Sequence, residues 1–120
     1  MNYLLVFLGG GLGSTCRFVI SQLLQRTSVH FPWATLFANA LSCIVFGMVA
    51  EVLLKGSLHP AYRFFLLTGF CGGFSTFSTF TNDTWLLFYD GALLYAFANI
   101  LFNLFLCLIC LYLGMKFIQM

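Results

Sequence analysis

Charge is nearly missing from this sequence. Three acidic and five basic residues in 120 leave 7% charged, where an ordinary soluble domain carries about 25%, and so few charges cannot cover a water-facing surface. The low hydrophobicity that keeps a chain disordered is missing too, since 62% of the residues are hydrophobic and the mean hydropathy is +1.01. The five cysteines, Cys16, Cys43, Cys71, Cys107 and Cys110, are odd in number and all lie in apolar runs, which excludes a secreted disulfide framework. No basic patch points to nucleic acid. The stretch Gly9-Gly10-Gly11-Leu12-Gly13 lacks the third glycine and the preceding strand of a dinucleotide fingerprint. No histidine lies in an apolar run, and the three acids, Glu51, Asp83 and Asp90, sit near run ends or beyond a weakened stretch. A metal centre, a proton relay and a general acid-base pair therefore have no residues to carry them, and enzymatic chemistry is not expected.

What remains is an integral membrane protein. A spanning helix takes about 20 apolar residues, so residues 1–120 form one all-α membrane domain of four spans, at about 3–24, 32–54, 62–89 and 92–117, with no extramembrane domain. The separators at 25–30, 55–60 and 90–91 combine charge, glycine and proline as membrane-surface turns do. The long Phe/Leu runs do not alternate as barrel strands do. Met1-Asn2-Tyr3 supplies no basic lead-in to a signal peptide, so the first span is expected to stay. Four spans place both termini with Lys55, Arg63 and Lys116 on one side, against Arg26 and Asp90 on the other. That bias is weak enough for either orientation, or both. Cys107-Leu108-Ile109-Cys110 has redox spacing but sits in mid-helix, so the cysteines read as small packing residues.

Polar groups inside apolar runs are costly, and so each is a candidate for function. In the first span Gly9 and Gly13 allow close helix approach, while Arg17 either snorkels to an interface or must find carbonyls, an acid or water. In the second span Asn39, Cys43 and Gly47 recur every four residues, giving one small, polar face. Asn39 there either joins helices or offers its amide hydrogens to an anion. The third span carries Gly69-Phe70-Cys71-Gly72-Gly73-Phe74-Ser75-Thr76-Phe77-Ser78-Thr79-Phe80-Thr81-Asn82-Asp83. Adjacent glycines followed by alternating Ser/Thr and Phe weaken a helix, and a broken helix in mid-membrane exposes ion-coordinating backbone groups. Phe77 and Phe80 are three apart and share a helical face. Their positive ring edges suit weak contact with an anion, although core or lipid-facing rings are the commoner use of such spacing. In the fourth span Tyr95, Asn99, Asn103 and Cys107 form a second polar stripe, either the wall of an aqueous path or a hydrogen-bonded seam.

These residues resemble the small Fluc/CrcB fluoride ion channels. The resemblance covers the whole chain and rests on Gly9-Gly10 with Gly13 and Arg17, on Pro32-Trp33-Ala34-Thr35-Leu36 leading to Asn39, and on 69–80. It implies a passive channel that exports fluoride across the bacterial inner membrane. The implied assembly is an antiparallel, dual-topology homodimer in the lipid bilayer, with two pores, a third helix broken mid-membrane and a central structural sodium ion (Na+). The resemblance also implies that Phe77 and Phe80 line the pore by their ring edges and that Asn39 contacts fluoride. Thr79 and Asn103 would add polar contacts, and the backbone carbonyls of Gly72 and Ser75 from both subunits would hold sodium. Arg17 matches the family pattern with no role derived for it. Ser75 stands where threonine is usual, Asp83 where glutamate is commoner, and Asn103 where serine or histidine is frequent. Two rival readings share these spans: a proton-coupled small multidrug-type transporter, for which an acid in the first span is missing, and a structural subunit without a transport path. Antiparallel assembly predicts that labelling of the chain termini in cells finds them on both sides of the membrane; a single orientation overturns it.

Overall fold

The computed structural model describes residues 1–24 and 31–120, so the separator at 25–30, with Arg26, lies outside the described residues. All regular structure among the described residues is helical. Helix α1 spans Asn2–Leu24 and α2 Trp33–Leu54. Helix α3 consists of a π-helical stretch, Phe64–Cys71, continued by the single turn Gly72–Phe74. Helix α4 spans Phe77–Tyr89 and α5 Leu93–Gln119. Helices α1, α2 and α5 are each long and apolar enough to cross a membrane. The third apolar run is divided between α3 and α4.

The division falls at Ser75 and Thr76, whose backbones are extended, at φ −84°, ψ 155° and φ −150°, ψ 120°. Thr76 suits this place twice over. A β-branched residue favours extended backbone, and its Oγ1 accepts the Thr79 N–H at 3.2 Å, capping the first turn of α4. Two further helix ends are closed by glycine. The Gly56 and Gly91 N–H groups donate to Leu53 and Phe88, and the Ser57 and Ala92 N–H groups reach back to Val52 and Leu87. This double bond pattern requires a left-handed residue, and the glycines supply it at φ +69° and +76°.

Packing is organised as two parallel helix pairs joined through backbone contacts. A Cβ built at Gly9 would collide with the Phe65 carbonyl, and one at Gly13 with the Phe70 carbonyl and, at 2.8 Å, the Phe74 nitrogen. Rising numbers on both helices mean that α1 and α3 run the same way. On α2 and α5 the Asn39–Asn103 hydrogen bond is followed, eight residues further along both helices, by the Leu111 carbonyl that a Cβ at Gly47 would meet, which sets α2 parallel to α5. Lipid offers apolar side chains no reason to leave it, so helices associate there through such van der Waals approach and through polar contacts. Outside these seams large apolar residues are exposed along α1, α2, α4 and α5, and the only buried residues of α1 are Gly9 and Gly13.

Because the obstruction at Gly13 is backbone, Gly13→Val should weaken α1–α3 docking by about 1–3 kcal/mol or more. Gly11→Ala, where a Cβ meets nothing within 4 Å, should be close to neutral. Thermal unfolding of both variants in detergent tests the contrast, and equal stability would contradict the packing account.

Candidate functional site

The residues around the interruption assemble two concavities, one on each side of the α3–α4 segment. The larger, of about 580 Å³, is a groove walled by α2, α4, α5 and the interruption itself. Asn39, Ser75, Thr76, Phe77, Phe80 and Asn103 all line it, with Cys43 and Cys107 deeper along the seam. The Phe77 and Phe80 ring centroids are 5.6 Å apart. Phe77 is 79% exposed, a large apolar ring left uncovered by its own chain.

A continuous polar chain backs this groove. The Thr76 N–H donates to Asn39 Oδ1 at 2.9 Å, and Asn39 Nδ2 donates to Asn103 Oδ1 at 3.1 Å. Asn103 Nδ2 donates to Asn99, both to its Oδ1 at 2.8 Å and to its backbone carbonyl at 2.9 Å. Asn99 Nδ2 donates to Thr84 Oγ1 at 2.9 Å, and the Thr84 hydroxyl donates to the Phe80 carbonyl at 2.8 Å. Each amide receives on its oxygen and gives from its nitrogen, so the bonds polarise one another in a single sense. The four-residue spacing of Asn99 and Asn103 makes this possible, because it stacks them on one face of α5. Asn99 is fully buried. It belongs to the polar stripe visible in the sequence, but only its position between Thr84 and Asn103 makes it the central link. Asn39 uses one of its two amide hydrogens in this chain.

The smaller concavity, of about 300 Å³, lies between α1, α2 and α4 and is lined by Ser14, Arg17, Ser21, Thr35 and Thr79, among others. Thr79 thus sits on the Arg17 side of α4, and it touches the groove side through the Thr76 hydroxyl, which donates to Thr79 Oγ1 at 3.3 Å. Arg17 does not leave for an interface: its Nε donates to the Gly73 carbonyl at 3.1 Å. The glycine faces allow this reach, since Gly10 and Gly73 meet backbone to backbone. The other Arg17 guanidinium nitrogens have no partner among the described residues and give this cavity a positive character. Asp83 faces the cavity's edge, where Thr35 Oγ1 donates to its Oδ2 at 2.7 Å.

The interruption is held from both sides. The Cys71 carbonyl accepts the Ser75 N–H at 3.0 Å, the Ser75 hydroxyl at 2.9 Å and the Ser42 hydroxyl at 3.1 Å. Gly72 is exposed, and a Cβ there would have only the Leu67 carbonyl in range, at 3.8 Å. Among the described residues, then, nothing crowds the space beside the Gly72 Cα.

Comparison with known proteins shows the family of the chain. The family model described as CrcB-like protein, Camphor Resistance (CrcB), matches residues 4–115. A Thermus thermophilus protein named fluoride-specific ion channel FluC is 43% identical over 118 residues, covering 94% of each chain. A Pyrococcus horikoshii protein of the same name is 41% identical over 111 residues, covering 92% of this chain and 89% of its own. A Nitrobacter hamburgensis protein named fluoride-specific ion channel FluC 2 is 42% identical over 106 residues, covering 83% and 86%.

Removing the central amide should cost stability directly. Asn99→Ala leaves Thr84 and Asn103 each short of a buried partner, and we expect a loss of about 1–3 kcal/mol, read as a lower unfolding temperature in detergent. An unchanged temperature would mean that the chain of amides is incidental.

Proposed function

The chain belongs to the CrcB family, and from that membership we propose that it is a multi-pass channel of the bacterial membrane that conducts fluoride passively out of the cytoplasm. The observation that carries this reading is the groove itself: Asn39 of α2, Phe77 and Phe80 of α4 and Asn103 of α5, from three helices, share one surface. Fluoride is small and strongly hydrated, so a path for it has to replace water with donors that let go again. The second amide hydrogen of Asn39 offers one such donor, and the ring edges of Phe77 and Phe80 offer weaker ones. Thr76 and Thr79 hydroxyls connect the groove to the Arg17 cavity, whose positive charge draws anions toward α4. Passive conduction fits the linings of the two concavities, which include no acid of the kind a proton-coupled exchanger needs; Asp83 meets the smaller one only at its edge, held by Thr35. Glu51 is buried, but it lies in the last turn of α2, away from the groove.

The working unit in this reading is an antiparallel homodimer with two pores. Support comes from what a single copy leaves uncovered: the Phe77 ring, and the Gly72 backbone beside an interrupted helix. Backbone polar groups at membrane depth need protein, water or an ion as partner. The Gly72 and Ser75 carbonyls are hard oxygen donors beside the interruption, which suits sodium, and two copies double the number of oxygens. Bound there, sodium would supply a fixed positive charge between the copies. The chain's own part is to present those carbonyls, which Ser42, Arg17 and Asn39 do by tying down the neighbouring backbone groups.

Liposomes loaded with potassium fluoride, containing the purified protein and treated with valinomycin, should release fluoride rapidly, while chloride-loaded liposomes should not release chloride. Phe77→Ile and Phe80→Ile should each slow fluoride release by at least about tenfold, a barrier increase of about 1.4 kcal/mol, while the dimer persists on size exclusion. Undiminished release in both variants would remove the rings from the path, and no release from a folded, dimeric wild type would overturn the channel reading.

A further inference from the structure

Two cysteines meet across the α2–α5 seam in a way that their spacing along the chain does not reveal. Two contacts on the seam share an offset of 64 residues: the Asn39–Asn103 hydrogen bond and, two helical turns on, the backbone collision that a Cβ at Gly47 would make with Leu111. Cys43 and Cys107 occupy the rung between, at the same offset. Both side chains line the same groove at that rung. Because one neighbouring rung is a side-chain bond and the other a glycine contact with no slack, the helices cannot slide to separate them. Both cysteines are half-buried, unpaired in any disulfide, and line the groove that holds Asn39, Phe77 and Phe80.

The donor set defines what such a pair takes. Among the described residues no group of three or more His, Cys, Asp or Glu side chains could hold a metal ion, so four-coordinate zinc finds too few ligands here. Magnesium and calcium need several oxygens, which the apolar seam does not offer. Two sulfurs in an apolar surround match a soft monovalent cation content with two ligands. We infer that Cys43 and Cys107 form a two-sulfur site for a soft monovalent cation, copper(I) or silver(I), and that its occupation obstructs the groove. On binding, one thiol gives up its proton to water and forms a metal–sulfur bond, while the other donates a sulfur lone pair. One positive ion and one thiolate leave a neutral unit, the form that an apolar groove accommodates at least cost. The ion lies one helical turn, about 6 Å, along the seam from Asn39. Obstruction of flux rests on the fluoride reading above; binding does not.

The test separates the two. Purified full-length protein in chloride-free detergent is titrated with silver nitrate, and bound silver per chain is counted for the wild type, Cys43→Ser, Cys107→Ser, the double variant and Cys16→Ser. Each groove variant should weaken binding by at least about tenfold, the double variant should lose the site, and Cys16→Ser should keep it. Silver should also shield Cys43 and Cys107 of the wild type from maleimide labelling, read by mass spectrometry, a measurement that needs no variant to fold. In liposomes silver should stop fluoride release by the wild type and leave the double variant's release unchanged from that variant's own silver-free rate. Equal binding by wild type and double variant, or unshielded thiols at saturating silver, overturns the site; equal inhibition of both proteins overturns the obstruction. A wild type that binds silver at these thiols but conducts no fluoride refutes the channel reading and leaves the site standing.

Discussion

Two extended residues between α3 and α4 set the terms for everything around them. Where Ser75 and Thr76 leave the helix, amides and carbonyls that would have bonded along the axis are released into an apolar surround, and there each one left alone costs several kcal/mol. The chain answers four of these groups with specific side chains. Ser42 and the Ser75 hydroxyl go to the Cys71 carbonyl, Arg17 to the Gly73 carbonyl, Asn39 to the Thr76 N–H, and the Thr76 hydroxyl to the Thr79 N–H. These donors and acceptors come from α1, α2 and the interrupted segment itself, so satisfying one short stretch of backbone orients three parts of the molecule at once.

Close approach is the second requirement and follows from the first. A serine or asparagine side chain reaches only a few ångströms, so the helices carrying them must lie nearly backbone to backbone. Gly9, Gly13, Gly47 and Gly114 permit this, and at each of them a Cβ would strike a carbonyl of the neighbouring helix. The same closeness lines up the Asn39–Asn103 and Cys43–Cys107 rungs. Polar satisfaction and glycine packing are thus one device seen from two sides. What the device leaves over is exposed: the Phe77 ring, the Gly72 backbone and the apolar outer faces.

Much of this was legible beforehand, for identifiable reasons. Scarce charge and high hydropathy require a membrane environment whatever the fold, and helices are what such runs form there. The four-residue recurrence of Asn39, Cys43 and Gly47, and of Asn99, Asn103 and Cys107, marks helical faces that must meet protein, because period alone assigns a face. Glycine pairs followed by Ser/Thr weaken a helix, and the dihedral angles depart from helical values at Ser75 and Thr76. Arg17 is a different case. Its place in the run raised the question of a partner, but a side chain that long reaches many carbonyls, and its choice of Gly73 depends on how α1 lies against α3.

Composition and period, then, determined a membrane-embedded, all-helical chain with polar stripes on two helices and a weak point on a third, because solvent transfer and helical geometry act residue by residue along one chain. Which stripe meets which was decided only in three dimensions. The parallel register that sets Asn39 on Asn103 and Cys43 on Cys107, the central place of Asn99, and the separation of Thr79 from the Phe77 groove all depend on where helices distant in sequence touch. Those contacts are chosen by the fit of backbone to backbone at glycines, and that fit is a property of pairs of helices.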